Sequence, residues 1–163
     1  MDKYIAKDRD GSLLVTVESI PESKASECSP LTHCLAVVRI EDDYLLGWNK
    51  WRQRWEIFGG CLESCETPGD CIRRECREEL GLTEGVFSWL GVMNFWLMPD
   101  YFSKEARTEY GGLYGITVHG KTVEEIAAGM QDRDEVTKLA LYRDVKGKEP
   151  VAILDEALLM FYT

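Results

Sequence analysis

The chain is short of several things, and each shortage excludes a class of protein. Its 163 residues hold five prolines and no low-complexity tract while 45% are hydrophobic, so a folded core is affordable and disorder is not expected. No apolar run approaches the roughly 20 residues that cross a bilayer. The opening MDKYIAKDRDG lacks the apolar centre of a secretory signal. These absences predict a cytoplasmic protein without membrane association, built as one domain over residues 1–163. Positive charge is scarce as well: 19 Lys and Arg against 29 Asp and Glu leave a net charge of −10, a surface that repels duplex nucleic acid. A small phosphorylated ligand accompanied by a divalent cation stays compatible with that charge. Internal repeats are absent too.

Cysteine, by contrast, is plentiful. Four of the six, Cys61, Cys65, Cys71 and Cys76, crowd into one stretch, with Cys28 and Cys34 upstream. Their spacing contains no C-x-x-C pair, and the chain has only two histidines, His33 and His119, so the pattern of a zinc site is missing. In a reducing compartment, buried or idle thiols are the expectation.

The distribution of apolar residues predicts an alternating strand at 13–18 and a polar connection at 21–30, then a hairpin from runs 33–40 and 44–48 joined by Glu41-Asp42-Asp43. A short strand over 55–58 ends at Gly59-Gly60. A helix follows with both ends marked: Thr67 as N-cap, Pro68 in the first turn, Asp70 at the positive end of the dipole and Gly81 as terminator. Further strands are expected at 86–98, 113–119 and 136–142, a loop at 99–107, a short helix at 123–130 opened by Thr122 and Glu125, and a C-terminal helix at 150–162. Strands and helices mix without regular alternation, which suits a mixed sheet between helices.

On the marked helix, Glu75, Glu78 and Glu79 stand at i, i+3 and i+4 and share a face. A solvated charged face is the ordinary explanation of such a pattern. Here it fits badly, because Glu75 meets Glu79 and Arg73 meets Arg77. Each like-charged i,i+4 pair is unfavourable by about 0.2–0.5 kcal/mol, and only Arg74 with Glu78 pairs well. Three clustered carboxylates raise one another's pKa unless a cation keeps them ionised, and magnesium, an oxygen-seeking ion commonly shared with phosphates, is the natural choice, with manganese as a substitute. The opposite face carries Ile72, Cys76 and Leu80, a stripe that packs on a sheet and turns the carboxylates outward. Gly59 and Gly60 allow a backbone carbonyl to approach as a further oxygen ligand.

The stretch resembles the box of the MutT-like Nudix hydrolases, G-x5-E-x7-R-E-U-x-E-E-x-G-U with U a bulky aliphatic residue. Gly60, Glu66, Arg74, Glu75, Glu78, Glu79, Gly81 and Leu82 occupy its fixed positions. Two departures leave the acidic set intact: Cys76 replaces an aliphatic residue, and Phe58 stands where proline is frequent. The resemblance implies an α/β/α sandwich with a mixed sheet and a loop-helix-loop catalytic motif. It also implies hydrolysis of a pyrophosphate bond in a nucleoside diphosphate linked to another moiety. By position, Glu75, Glu78 and Glu79 would bind the metal with the Gly59 carbonyl, and one of them, with Glu75 and Glu78 as the catalytic candidates, would take the proton from the attacking water. Arg74 would orient a carboxylate and Glu66 would support the loop. Some members add a carboxylate after the box, for which Asp134 and Glu135 are candidates by position.

Weaker signals lie outside the box. Trp48 and Trp51, with Arg52 beside them, offer stacking and charge to a nucleotide; Trp55 alternates with Ile57 and is expected in the core. Phe95, Trp96, Tyr101 and Phe102 are candidates for a pocket, with packing as the default, and both histidines are expected to be structural. The leading functional expectation is hydrolysis of a nucleoside triphosphate, oxidised forms included. ADP-ribose or a nucleotide sugar is the alternative, and a non-catalytic nucleotide-sensing module is the alternative of another class. RNA 5′-end processing is disfavoured by the acidic surface. The partner expected is a small nucleotide, and a homodimer is compatible with the sequence.

Overall fold

The computed structural model describes residues 3–163. In chain order it comprises β1 (Ala6–Lys7), β2 (Leu13–Glu18), a 3-10 turn (Glu22–Glu27), β3 (Leu31–Ile40), β4 (Asp43–Asn49), β5 (Arg54–Glu56) and β6 (Phe58–Cys61). Then follow α1 (Pro68–Leu80), β7 (Ser88–Leu97), β8 (Arg107–Thr117), α2 (Val123–Ala128), β9 (Val136–Leu141), α3 (Tyr142–Val145), α4 (Ile153–Leu158) and a closing 3-10 turn (Leu159–Phe161). The strands form one mixed sheet in the order β1-β2-β7-β8-β3-β4-β5, with β6 paired to β3 and β9 to β4. β3 runs parallel to β8, and the other strand pairs are antiparallel.

Alternation along β3 explains the layers. Cys34, Ala36, Val38 and Ile40 face one way and join Cys71, Ile72, Cys76 and Leu80 of α1 in a single core. Val37 faces the other way and meets Val145 of α3 and Leu158 of α4 in a second core. A mixed sheet sandwiched between helices, the expected fold class, is what these two cores describe. β3 is long enough to take two partners on one edge. β4 pairs with Val38–Ile40, β6 with His33–Ala36, and so β6 sets Gly59 and Gly60 beside Leu35 and Cys34.

The hairpin turns on two residues, Glu41 and Asp42, both with positive φ (54° and 63°), while Asp43 belongs to β4. The strand expected at 55–58 is broken at Ile57, whose N–H is taken by the Asp155 carboxylate at 3.0 Å. The chain resumes as β6 and runs through Gly59 and Gly60 instead of ending there. β8 begins at Arg107, six residues earlier than expected, because its polar and glycine-rich first half hides the alternation. The C-terminal helix shrinks to α4 and a 3-10 turn. No helix among the described residues is long and apolar enough to cross a membrane.

Candidate active site

α1 is held in place at both ends. The Thr67 hydroxyl accepts the Asp70 N–H at 3.1 Å and the Asp70 carboxylate accepts the Thr67 N–H at 3.4 Å, a closed capping box. Gly81 takes the left-handed conformation, φ 65°, and its N–H returns to the Arg77 carbonyl at 2.9 Å. With Ile72, Cys76 and Leu80 buried behind it, the helix presents Glu75, Glu78 and Glu79 toward β6 and the loops beyond.

The glycine pair is explained by what would otherwise collide. Gly59 has φ 142°, and a β-carbon there would overlap the Cys34 carbonyl oxygen; its N–H, turned away from β3, donates to Glu79 Oε1 at 2.9 Å. A β-carbon on Gly60 would instead overlap the Glu75 carboxylate, so that carboxylate lies directly over bare backbone. Arg74 organises the loop before the helix. It grips Glu66 with two bonds, Nε to Oε2 at 2.7 Å and Nη2 to Oε1 at 2.9 Å, reaches the Cys61 carbonyl at 3.0 Å, and holds Glu75 Oε1 at 2.9 Å. The hydrogen bond from Arg74 holds the Glu66 carboxyl down to about 2.

Glu79 stands in the opposite situation. Burial pushes its pKa up to about 9, and the Glu75, Glu135 and Glu56 carboxylates push the same way; only the Gly59 N–H opposes them. Glu75 is raised too, by burial first and against the pull of Arg74. Among the described residues no three carboxylate, histidine or cysteine groups converge on one point. Arg74 and the Gly59 N–H each draw a carboxylate aside, and Glu78 is 44% exposed. The donor set nonetheless fits a hard divalent cation. It is all oxygen, it lies on one helical face so that side-chain rotation suffices to gather it, and its like charges are under-compensated at Glu79.

A second acidic group adjoins the first. Glu56 and Glu135 both accept from Asn49 Nδ2 at 2.9 Å, and Arg52 Nη1 reaches them at 3.0 and 3.4 Å. Of the two candidates after the box, Glu135 is near enough to raise Glu75 and Glu79; Asp134 is an exposed loop residue whose N–H bonds Asp132. Beside this group, on the α4 side of the sheet, lies a cavity of about 450 Å³. His33, Phe95, Arg52, Arg54 and Asp155 are in its lining. His33 tilts against Phe95 with ring centroids 5.3 Å apart, and burial lowers its pKa to about 4, so the ring is neutral.

The structure distributes the remaining candidates unevenly. Arg52 lines the cavity; Trp48 and Trp51 do not. The Trp48 ring packs edge-on to Trp55 at 5.3 Å, with the Lys138 ammonium 5.0 Å from its centre, and Trp51 is 72% exposed under Lys50. Trp55 is in the core as expected, and Tyr101 and Phe102 stand in solvent. Phe95 and His33, expected to serve packing, line the cavity as well. Asn49, Glu56 and Asp155 carried no signal in the sequence that separated them from other polar residues. Their partners are distant along the chain, as in the bonds from Asn49 to Glu135 and from Ile57 to Asp155.

The NUDIX domain family matches residues 31–149. No curated protein matches the chain. Solved structures match its fold. A mutant of the Bacillus subtilis pyrophosphohydrolase BsRppH is 15% identical, with a TM-score of 0.66 over 95% of this chain and 90% of that one. The MutT NUDIX hydrolase of Burkholderia pseudomallei is 19% identical, with a TM-score of 0.60 over 80% and 96%. The NUDIX domain of Shewanella oneidensis NrtR, solved with ADP ribose, is 14% identical, with a TM-score of 0.60 over 87% and 96%.

Proposed function

The chain belongs to the Nudix hydrolase family, enzymes that cleave phosphoric anhydride bonds in nucleotide derivatives, and from that premise we propose that it hydrolyses a nucleoside triphosphate, oxidised forms included, with magnesium as its cofactor. One observation carries the choice of substrate. A recess lined by Phe95 and the neutral His33 shares Arg52 with the Glu56 and Glu135 carboxylates, which suits one base with its phosphates directed toward α1.

Divalent cations serve the family generally; when bound, such an ion neutralises diphosphate charge and polarises the attacking water. Glu75, Glu78 and Glu79 would hold it, with the Gly59 carbonyl as a further oxygen, and manganese would substitute. Arg74 keeps Glu75 oriented and, through Glu66, keeps the loop closed against the helix. Glu78, more exposed than Glu75 and held by Arg74 only at 3.5 Å, would accept the proton of the attacking water, and Glu135 would supply a further carboxylate at the rim. Arg52, freed from part of its acidic company, would meet the phosphates.

The reading is tested by incubating the protein with nucleoside triphosphates, their oxidised forms, ADP-ribose and nucleotide sugars, each with magnesium and with manganese, and identifying the products. Release of a nucleoside monophosphate from one or more triphosphates is expected. Turnover confined to ADP-ribose or nucleotide sugars would transfer the assignment to that class. Tight binding by calorimetry with no turnover of any compound would make the chain a nucleotide sensor.

A further inference from the structure

Asn49 ends β4 with 1% of its surface exposed, and its side chain has every hydrogen bond it can make. Its Oδ1 accepts the Trp51 and Arg52 N–H groups at 3.0 Å each, and its Nδ2 donates to Glu56 Oε1 and Glu135 Oε1 at 2.9 Å each. The orientation of the amide is unambiguous, because backbone N–H groups only donate and must face the oxygen. Half of this pattern is an ordinary turn device, in which a short polar side chain organises the next residues. The turn needs the oxygen alone. Aspartate or serine would serve it equally, and nothing in residues 49–53 requires the amide nitrogen.

That nitrogen is spent entirely on drawing two carboxylates together. Like charges at one donor are unfavourable unless something holds them, and the second holder, Arg52, is half exposed and reaches Glu135 only at 3.4 Å. The Lys50 N–H fixes the backbone of Glu135 through its carbonyl at 3.0 Å. The aim of its otherwise exposed side chain is therefore set by Asn49. We propose that Asn49 is a positioning residue for hydrolysis, holding the Glu135 carboxylate beside Glu56 and facing the carboxylates of α1, where it completes the acidic set around the cation and the diphosphate. The inference rests on the hydrolase reading above and extends it to a residue outside the box.

The test is a double-mutant cycle of Asn49→Asp and Glu135→Ala, with Asn49→Ser as a second replacement should the aspartate not fold. Both replacements keep an oxygen for the turn and lose the paired donation. Two readouts are taken, kcat and KM for the nucleotide turned over, and the affinity of the nucleotide-free protein for manganese by electron paramagnetic resonance. Each single change should lower kcat by about ten- to a hundredfold, the scale of a misplaced catalytic group, with KM little altered. The double variant should be no worse than the poorer single, because Glu135 is already misdirected when Asn49 is gone. Manganese affinity should weaken with the same non-additivity. Multiplying effects, or a normal kcat and manganese affinity in either single variant, would overturn the proposal. If no nucleotide is hydrolysed by the unaltered protein, the hydrolase reading fails separately, and additivity or its absence in manganese affinity alone decides the role of Asn49.

Discussion

Glu79 holds a position that makes sense only in company. Its pKa is raised from an ordinary 4.5 to about 9, chiefly by burial, so in the cation-free protein it binds a proton more tightly folded than unfolded. This carboxyl therefore supports the fold fully below about pH 4.5, and that support is lost as pH rises toward 9. Glu79→Gln removes the penalty while keeping an oxygen for the Gly59 N–H. The cation-free variant should therefore be more stable than the parent at pH 8 and close to it at pH 5. The gain is about 1.4 kcal/mol for each unit of the shift that survives in solution. Melting curves at the two pH values measure it. The same substitution should abolish most cation-dependent turnover, and a near-normal rate would mean that Glu79 does not hold the cation. That the like charges of Glu75, Glu78 and Glu79 would burden the fold was foreseeable from their sharing a helical face. The hydrogen bond from the Gly59 N–H to Glu79 was not, since twenty positions separate a helix face from a strand that only the fold brings together.

The elements show where local chemistry suffices to define structure and where it does not. Both ends of α1 follow from Thr67, Pro68, Asp70 and Gly81, because capping involves residues within a turn of one another. The break at Ile57 depends on Asp155, almost a hundred positions later, and the early start of β8 depends on pairing with β7 and β3 rather than on the character of residues 107–112. For the same reason the acidic box was legible as a run of residues, while Asn49, Glu56 and the His33–Phe95 recess became visible only when strands were placed side by side. The two glycines of β6 answer to different constraints. Gly59→Ala drives a β-carbon into the Cys34 carbonyl at a φ closed to alanine, so the variant should lose several kcal/mol of stability or fail to fold, on the order of 2–4 kcal/mol by the usual scale of strained or overpacked sites. Gly60→Ala meets only the movable carboxylate of Glu75. It should melt near the parent temperature yet lose at least about tenfold in kcat, as expected when a catalytic group is displaced. Circular dichroism melts beside steady-state kinetics separate the two, and equal loss of stability in both would show that the pair is merely structural.

Taken whole, the molecule concentrates its excess of acid. A net charge of −10 is spread over the surface, but Glu56, Glu75, Glu79 and Glu135 act on one another across the junction of α1, β5, β6 and the loop before β9. General repulsion and a specific cation site respond to salt differently. Sodium chloride screens the first within roughly 10 Å at 0.1 M and affects all exposed carboxylates alike, whereas a cation that binds only the folded state stabilises it by mass action, about 2.7 kcal/mol at a hundred times its dissociation constant. At fixed ionic strength, magnesium or manganese should therefore raise the melting temperature above what sodium achieves. The increment should grow between pH 6 and 9, because the cation must displace the proton that Glu79 retains up to about pH 9. Glu79→Gln should remove most of the increment, and Glu135→Ala only part of it, since Glu135 is exposed and lies at the rim. An increment that is the same for sodium and magnesium, or indifferent to Glu79, would mean that the acidic cluster behaves as surface charge and that the cation does not assemble there.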